Sequence, residues 1–193
     1  MRRLPLLAAL AFIASACGST GAAPTASPTR LATAPVIRTA APTLACPGIP
    51  SQPASKATIA LEKGGTIVIQ LRPDVAPKTV TIFAAKAKAG FYNGLTFHRV
   101  VANFVAQGGD PLGNGTGGGQ ECTELSDVPF LKGAVGVARG GDINISNDSQ
   151  FFFCTGECRH LDKQYTNFGQ VISGQDVADK IAVGDKIKTI TVE

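Results

Sequence analysis

The stretch from Phe97 to Asp110 (FHRVVANFVAQGGD) most narrows what this chain can fold into. Val100 and Val101 lie between a cation at Arg99 and an aromatic at Phe104, and two glycines close the run. Such a run fits two short strands. On a pleated strand side chains repeat with period two, so Phe104, Ala106 and Gly108 share one face while Val105 and Gln107 share the other. The same alternation turns His98 away from Arg99, which predicts a buried, hydrogen-bonded histidine rather than a catalytic base. Arg99 has no acidic neighbour in sequence and must meet either a bound group or a carboxylate from elsewhere.

Around this stretch the chain alternates short apolar runs with glycines. Ala57–Leu61 and Thr66–Leu71 read as strands about Lys63-Gly-Gly65, a hairpin signal with glycines where positive φ is needed. Pro77 suits the first turn of a helix, in which Val80, Phe83, Ala84 and Ala87 recur at helical spacing before Gly90 ends it. Gly133–Ala138, Phe151–Phe153 and Asn167–Ile172 are each short and strand-like, as is Lys186–Val192 at the end. A second helix is predicted to begin near Ser173, with Asp176 as a capping-box partner and Val177 and Ile181 buried. Many short strands and two helices predict a mainly β fold, a closed antiparallel barrel without free edges.

The first 55 residues differ in kind. Met1-Arg-Arg is basic, Leu4–Ala16 is almost wholly apolar, and the segment is too short to span a bilayer, which is the pattern of a signal peptide over 1–16. Ala14-Ser-Ala-Cys17 is similar to a bacterial lipobox, although alanine replaces the usual leucine. That resemblance implies lipidation at Cys17; the alternative is an ordinary signal cut after Ala16. Gly18–Ser55 holds seven prolines, no aromatic or acidic residue, and only Arg30 and Arg38 as charges. It cannot bury enough apolar surface to offset its ordering entropy, so 17–55 is expected to be a lipidated N-terminus and disordered tether. Residues 56–193 form the expected domain. Of 18 basic residues four lie at Arg2, Arg3, Arg30 and Arg38, leaving 14 against 14 acidic ones in the domain. A neutral domain offers no basic field for nucleic acid.

The stretch around Arg99 resembles the signature of the cyclophilins, peptidyl-prolyl cis-trans isomerases whose pattern reads Phe-His-Arg-Val-x-x-x-Phe-x-x-Gln-Gly-Gly-Asp. Ala76–Val80, Gly90–Thr96, Gly113–Gly118, Ser149–Phe152 and Phe168–Val171 extend the likeness in order. The resemblance implies an eight-stranded barrel capped by two α-helices and a single chemistry, rotation about Xaa-Pro bonds. It implies no cofactor and no metal. It assigns Arg99 and Gln107 as catalytic, with Gln107 orienting by hydrogen bond, and Phe104, Val105, Ala138, Phe152, His160, Leu161 and Tyr165 as substrate-binding. Taken singly, Phe104, Val105 and Phe152 would be read as core packing and Arg99 as a surface ion pair.

Three departures from the pattern matter. His160 stands where many cyclophilins have a tryptophan that contributes to cyclosporin binding. Tyr165 stands where many have histidine. The loop Gly140–Asp148 looks a residue longer than is usual for bacterial cyclophilins, and Arg139–Asp148 would border the subsite upstream of proline. Gly113–Gly119 has glycines like a phosphate loop but lacks its Gly-Lys-Ser/Thr ending, and reads as a flexible wall of the groove.

Besides Cys17, four cysteines remain, and an exported chain sits in a disulfide-permissive compartment. Cys154 with Cys158 and Cys46 with Cys122 are the pairing expected among the three connectivities open to four cysteines. A metal held by Cys154, Cys158 and His160 is the rival, weakened by the lack of a second ligand pair.

Together these readings predict an extracytoplasmic, membrane-anchored isomerase acting on exported proteins. Its partners are proline-containing polypeptides, the membrane through the lipid anchor alone, and no nucleic acid, with the domain a monomer. The alternative readings are a non-catalytic module or holdase that binds proline segments in the same groove, and a metal-binding lipoprotein.

Overall fold

The computed structural model describes residues 54–193. The predicted signal, Cys17, the tether as far as residue 53, and Cys46 lie outside the described residues. Nine strands and two helices make up the fold: β1 (Lys56–Leu61), β2 (Thr66–Leu71), α1 (Pro77–Lys88), β3 (Phe97–Val101), β4 (Val105–Gly108), β5 (Gln120–Cys122), β6 (Ala134–Arg139), β7 (Ile145–Cys154), β8 (Asn167–Ser173), α2 (Gln175–Ala178) and β9 (Ile187–Val192). Eight strands follow one another as β3-β4-β7-β6-β8-β2-β1-β9, all pairs antiparallel, and β5 adds to β7 off this path. The two ends of the sheet come together at the bridge between Thr96 and Lys186, where Phe97 N–H donates to Asp185 O at 2.8 Å and Ile187 N–H donates to Leu95 O at 2.9 Å. The predicted barrel of eight strands with two helices is therefore present, with β5 as a short addition.

The hairpin forms as its glycines require: Gly64 and Gly65 take φ of 92° and 93° between β1 and β2. In α1 the periodic residues Val80, Phe83, Ala84 and Ala87 are buried, Pro77 occupies the first turn, and Gly90 at φ 70° ends it. The exposed amides of that first turn are met from a distance. Glu124 accepts from Lys78 N at 3.1 Å and Thr79 N at 2.9 Å, which places a carboxylate at the positive end of the helix dipole.

The second helix differs from expectation. It has four residues, begins after Gly174 in the left-handed region (φ 79°), and carries no side-chain cap, while Ser173 belongs to β8. Only glycine fits there, because a Cβ on Gly174 would lie 2.1 Å from Thr66 O. The chain must pass tightly over β2, and this close approach rather than a capping box sets the helix start. Ile181 is buried, although beyond the helix.

Alternation along the strands divides the apolar residues into two cores. Ile59, Ile67, Ile69, Phe97, Ala106, Val135, Val137, Phe151, Phe153 and Phe168 pack together with α1 in the barrel interior. Val105, Ala134, Phe152, Cys154, Cys158, Leu161 and Phe130 form a second cluster, with Phe104 and Tyr165 against it. The same strands β4, β6 and β7 supply both, since neighbours in a strand face opposite sides of the sheet. A barrel needs only the first of these. The second buries apolar residues on the outer face, and it is there that the site lies.

Candidate active site

Arg99, Phe104, Val105, Gln107, Ala138, Phe152, His160, Leu161 and Tyr165 line one pocket of about 260 Å³. All nine catalytic and substrate-binding residues that the resemblance assigned thus come together, from β3, the turn after it, β4, β6, β7 and the segment that follows β7.

A bulge sets the direction of Arg99. Phe97 pairs with Gly108 and Arg99 with Gln107, so two steps on β3 match one on β4 and His98 is the extra residue. Bulges twist a strand locally and re-aim its side chains. Arg99 Nη1 then donates to Gln107 Oε1 at 3.3 Å, and the guanidinium carbon stands 5.8 Å from the centre of the Phe104 ring. Gln107 is fixed from behind, its Nε2 donating to Gln150 Oε1 at 3.0 Å, while Gln150 Nε2 donates to Gly117 O at 2.8 Å. Among the described residues no carboxylate forms an ion pair with Arg99. Of the two partners the sequence left open for this arginine, the distant carboxylate is missing from the described residues.

Phe104 reaches the groove although simple alternation puts it with Ala106. It lies in the turn before β4, where Asn103 has φ 57° and Phe104 N–H donates to Val101 O at 3.1 Å, so the strand period does not yet apply. Its ring lies 4.9 Å from that of His160. On the other wall Phe152, opposite Gln107 on β4 and Gly136 on β6, stacks on Phe130 at 5.8 Å and meets Tyr165 edge-on at 6.0 Å. Leu161 ends a single 3-10 turn, Arg159–Leu161, which Asp162 ties down by accepting from Arg159 Nε at 2.6 Å and Phe130 N at 2.7 Å.

Gly113–Gly119, expected as a flexible wall of the groove, contributes no residue to the pocket lining and is instead tied down behind Gln150. Asp110 accepts from the backbone N–H groups of Leu112, Asn114 and Gly115, and Gly117 O accepts from Asn147 and Gln150. Burial works to raise the Asp110 carboxyl, but these three amide donors outweigh it and hold the group below the usual carboxylate range. His98 is the second departure. Both its ring nitrogens are buried without a hydrogen-bond partner, because the bulge leaves the ring against the glycine loop, and burial lowers its pKa against the pull of Asp110. The predicted hydrogen bond is absent, and the ring is a neutral packing element.

The expected bridge between Cys154 and Cys158 is not formed. Both are free and buried, and Cys158 Sγ donates to Phe104 O at 3.3 Å. The two share one buried cluster with Val105, Phe152 and Leu161, so proximity in sequence did become proximity in space, without a covalent bond. Cys122 is disulfide-bonded, and its partner lies outside the described residues. No three side chains of the metal-ligating kind converge among the described residues. The residues that sequence reasoning missed are Phe130, which backs Phe152, and Gln150, which backs Gln107. Gln150 sits inside Ser149–Phe152, a segment already matched to the cyclophilin pattern, and its position beside Phe152 was the available signal.

Comparison with known proteins decides the family. Residues 57–192 match the family model described as cyclophilin type peptidyl-prolyl cis-trans isomerase/CLD. The chain belongs to the cyclophilin family. A peptidyl-prolyl cis-trans isomerase of Helicobacter pylori is 43% identical over 141 residues, covering 69% of this chain and 85% of that one. Peptidyl-prolyl cis-trans isomerase B of Bacillus subtilis is 42% identical over 137 residues, covering 69% of this chain and 94% of that one. A Cryptosporidium parvum cyclophilin solved in the presence of the dipeptide Ala-Pro superimposes with a TM-score of 0.66 over 72% of this chain and 98% of its own, at 24% identity, a likeness of fold. This cyclophilin is thus a peptidyl-prolyl cis-trans isomerase by family.

Proposed function

We propose that this cyclophilin accelerates Xaa-Pro rotation by seating the proline ring in the pocket of Phe104, Val105, Phe152 and Leu161 and directing Arg99 at the twisted transition state. The observation that carries the reading is the guanidinium held beside Gln107 at the edge of an apolar pocket, with no carboxylate among the described residues to neutralise it. Resonance makes the planar peptide bond stiff, with a barrel-independent barrier of about 18–20 kcal/mol. In the twisted state the prolyl nitrogen becomes pyramidal and gains a lone pair, so a donor aimed there stabilises that state above either planar isomer. Arginine suits this role because it is always charged and presents its donors in a rigid fork.

Arg99 does not suffice alone. Moving exchange from tens of seconds to milliseconds needs a factor of about ten thousand, or ~5.5 kcal/mol. One hydrogen bond to a charged group supplies ~1.5–3 kcal/mol. The remainder is assigned to the pocket, which excludes water around the ring, and to Gln107, which orients the carbonyl. The Ala-Pro dipeptide named with the C. parvum cyclophilin supports proline-containing polypeptides as the ligand class. By the signal-like Leu4–Ala16 segment and Cys17 we further assign the enzyme to the outer side of the membrane, lipid-anchored and monomeric, acting on exported proteins.

The test is NMR exchange spectroscopy on a short Xaa-Pro peptide with the purified protein and its Arg99→Ala variant. Acceleration by the wild type that the substitution removes about a hundredfold, with peptide binding retained, is the expected result. Wild-type protein that binds the peptide yet leaves exchange at its spontaneous rate would instead mark a proline-recognition module.

A further inference from the structure

Two guanidinium groups flank the pocket, one on each wall. Arg99 stands over Phe104, and Arg139, at the end of β6, lies with its guanidinium carbon 4.5 Å from the centre of the Tyr165 ring. Tyr165 and Ala138, the residue before Arg139, both line the pocket. The pairing of β6 with β7 shifts between Val137 and Arg139, so the arginine leaves the strand at an irregularity. It is then fastened by its own donors: Nε to Gln164 O at 2.7 Å and Nη1 to Gly140 O at 2.9 Å. Nη1 also reaches Gly141 O at 3.5 Å, and a guanidinium stacked on a ring and bonded to three carbonyls has little rotamer freedom left to lose on binding.

What is missing is an anion. Arg139, like Arg99, has no ion pair with any carboxylate among the described residues, although the domain has as many acidic as basic side chains. The acids of the nearby loops are engaged elsewhere. Asp142 accepts from Asn144, Asp148 pairs with Lys86, and Asp162 pairs with Arg159. No carboxylate lines the pocket itself. The backbone carbonyls that hold Arg139 fix its direction without cancelling its charge.

We propose that Arg139 is a specificity-determining residue that selects polypeptides carrying a glutamate or aspartate beside the target proline. This rests on the isomerase reading of the pocket and names its substrate class. A proline ring in the pocket brings its flanking residues over one or other wall. A carboxylate passing over the Ala138–Tyr165 wall meets a pre-oriented guanidinium, whereas a lysine there meets a like charge. Arg99 adds to the field but is committed to the reacting bond, so discrimination by the flanking residue falls to Arg139.

The experiment uses matched peptides that differ only beside proline, with Glu, Gln or Lys immediately before it and, in a second set, immediately after it. For each, kcat/KM is measured by NMR exchange and Kd by chemical-shift titration, with the wild type, Arg139→Gln and Arg139→Lys. We expect the wild type to favour Glu over Lys about fivefold in one of the two sets, the preference to shrink at high salt, and Arg139→Gln to reduce it below about twofold while Arg139→Lys keeps part of it. Equal handling of Glu and Lys peptides by the wild type, or a preference that Arg139→Gln leaves intact, overturns the proposal. The titrations keep the two readings apart. If no peptide is isomerised, the isomerase reading fails, while a Glu preference in Kd that Arg139→Gln abolishes still upholds Arg139 as the reader of acidic segments.

Discussion

Gln107 and Gln150 are joined side chain to side chain, the amide of Gln107 donating to Gln150 Oε1 at 3.0 Å, and this bond fixes which face of the Gln107 amide meets Arg99. With Nε2 committed to Gln150, Oε1 is left to accept from Arg99. Gln150 is itself buried, 3% exposed, and anchored to Gly117 O. Replacing Gln150 with leucine leaves the Gln107 amide free to flip and Gly117 O with one donor fewer. The expected outcome is a loss of about tenfold in kcat with a smaller change in KM, and about 1–2 kcal/mol of stability. A Gln150→Glu variant retains the acceptor for Gln107 and should keep more of the activity than leucine does. An unchanged kcat in Gln150→Leu would remove Gln150 from the positioning network.

Gly136 bears the packing of the pocket floor. A Cβ at this position would lie 2.4 Å from Phe152 Cζ and 2.6 Å from Phe130 Cε1, so even alanine forces the stacked rings aside. Overpacking of this kind costs about 1–3 kcal/mol. Gly136→Ala should lower the melting temperature and raise KM, since Phe152 is the ring displaced. By contrast Gly140→Ala, which meets nothing within 4 Å, should leave the melting temperature where it is. Thermal denaturation of the two variants side by side makes the comparison.

Glu121 gives the domain an unusual pH dependence. Its side chain is buried between α1 and β7, Oε1 accepts from Thr79 Oγ1 at 3.3 Å, and Oε2 has no partner. Burial pushes its pKa from 4.5 up to about 8, with Glu124 and Asp148 adding to the rise and Thr79 and Lys86 opposing it. Below about pH 4.5 folded and unfolded chains both hold the proton and the group is neutral to stability. Between that pH and about 8 the unfolded chain has released a proton that the folded chain keeps, so stability falls as pH rises. The slope approaches about 1.4 kcal/mol per pH unit. Urea denaturation from pH 5 to 8.5 should show this decline in the wild type and a flatter profile, by about 2–4 kcal/mol over the range, in Glu121→Gln. Parallel profiles for the two proteins would show that Glu121 ionises normally in the fold.

The thiols of Cys154 and Cys158 should be inert in the native state. Both are fully buried, and burial raises both pKa values, which removes the thiolate needed for reaction. Alkylation followed by peptide mapping should find neither residue labelled after an exposure that labels both in denaturant. Labelling of Cys158 in native protein at a rate near the denatured one would mean that the segment beneath Phe104 opens readily.

Much of the site was legible because it is local. Period-two alternation separates Val105 and Gln107 from Ala106, and Phe152 from Phe151 and Phe153, and the ordered pattern from Ala76 to Val171 marks which face carries the groove. The first helix and the hairpin were legible for the same reason, since Pro77, Gly64, Gly65 and Gly90 act within a few residues of themselves. Phe104 already strains this logic, because its direction comes from a turn at Asn103 and not from the strand period.

Groups that meet across the fold were not legible along the chain. The bulge at His98 exists only in the register of β3 against β4, and it both aims Arg99 and strips His98 of partners. Glu124 caps α1 from 46 residues away, Gln150 fixes Gln107 from 43 away, and Arg139 finds Tyr165 only once β6 and the segment after β7 lie side by side. Whether Cys154 and Cys158 bond or merely touch depends on geometry that spacing does not contain. The order of residues along the chain sets which are apolar, which are charged and, within a regular strand, which share a face. Burial, register and long-range hydrogen bonds decided what each of those side chains meets, because free energies of contact and desolvation belong to pairs of groups in space and not to positions along the chain.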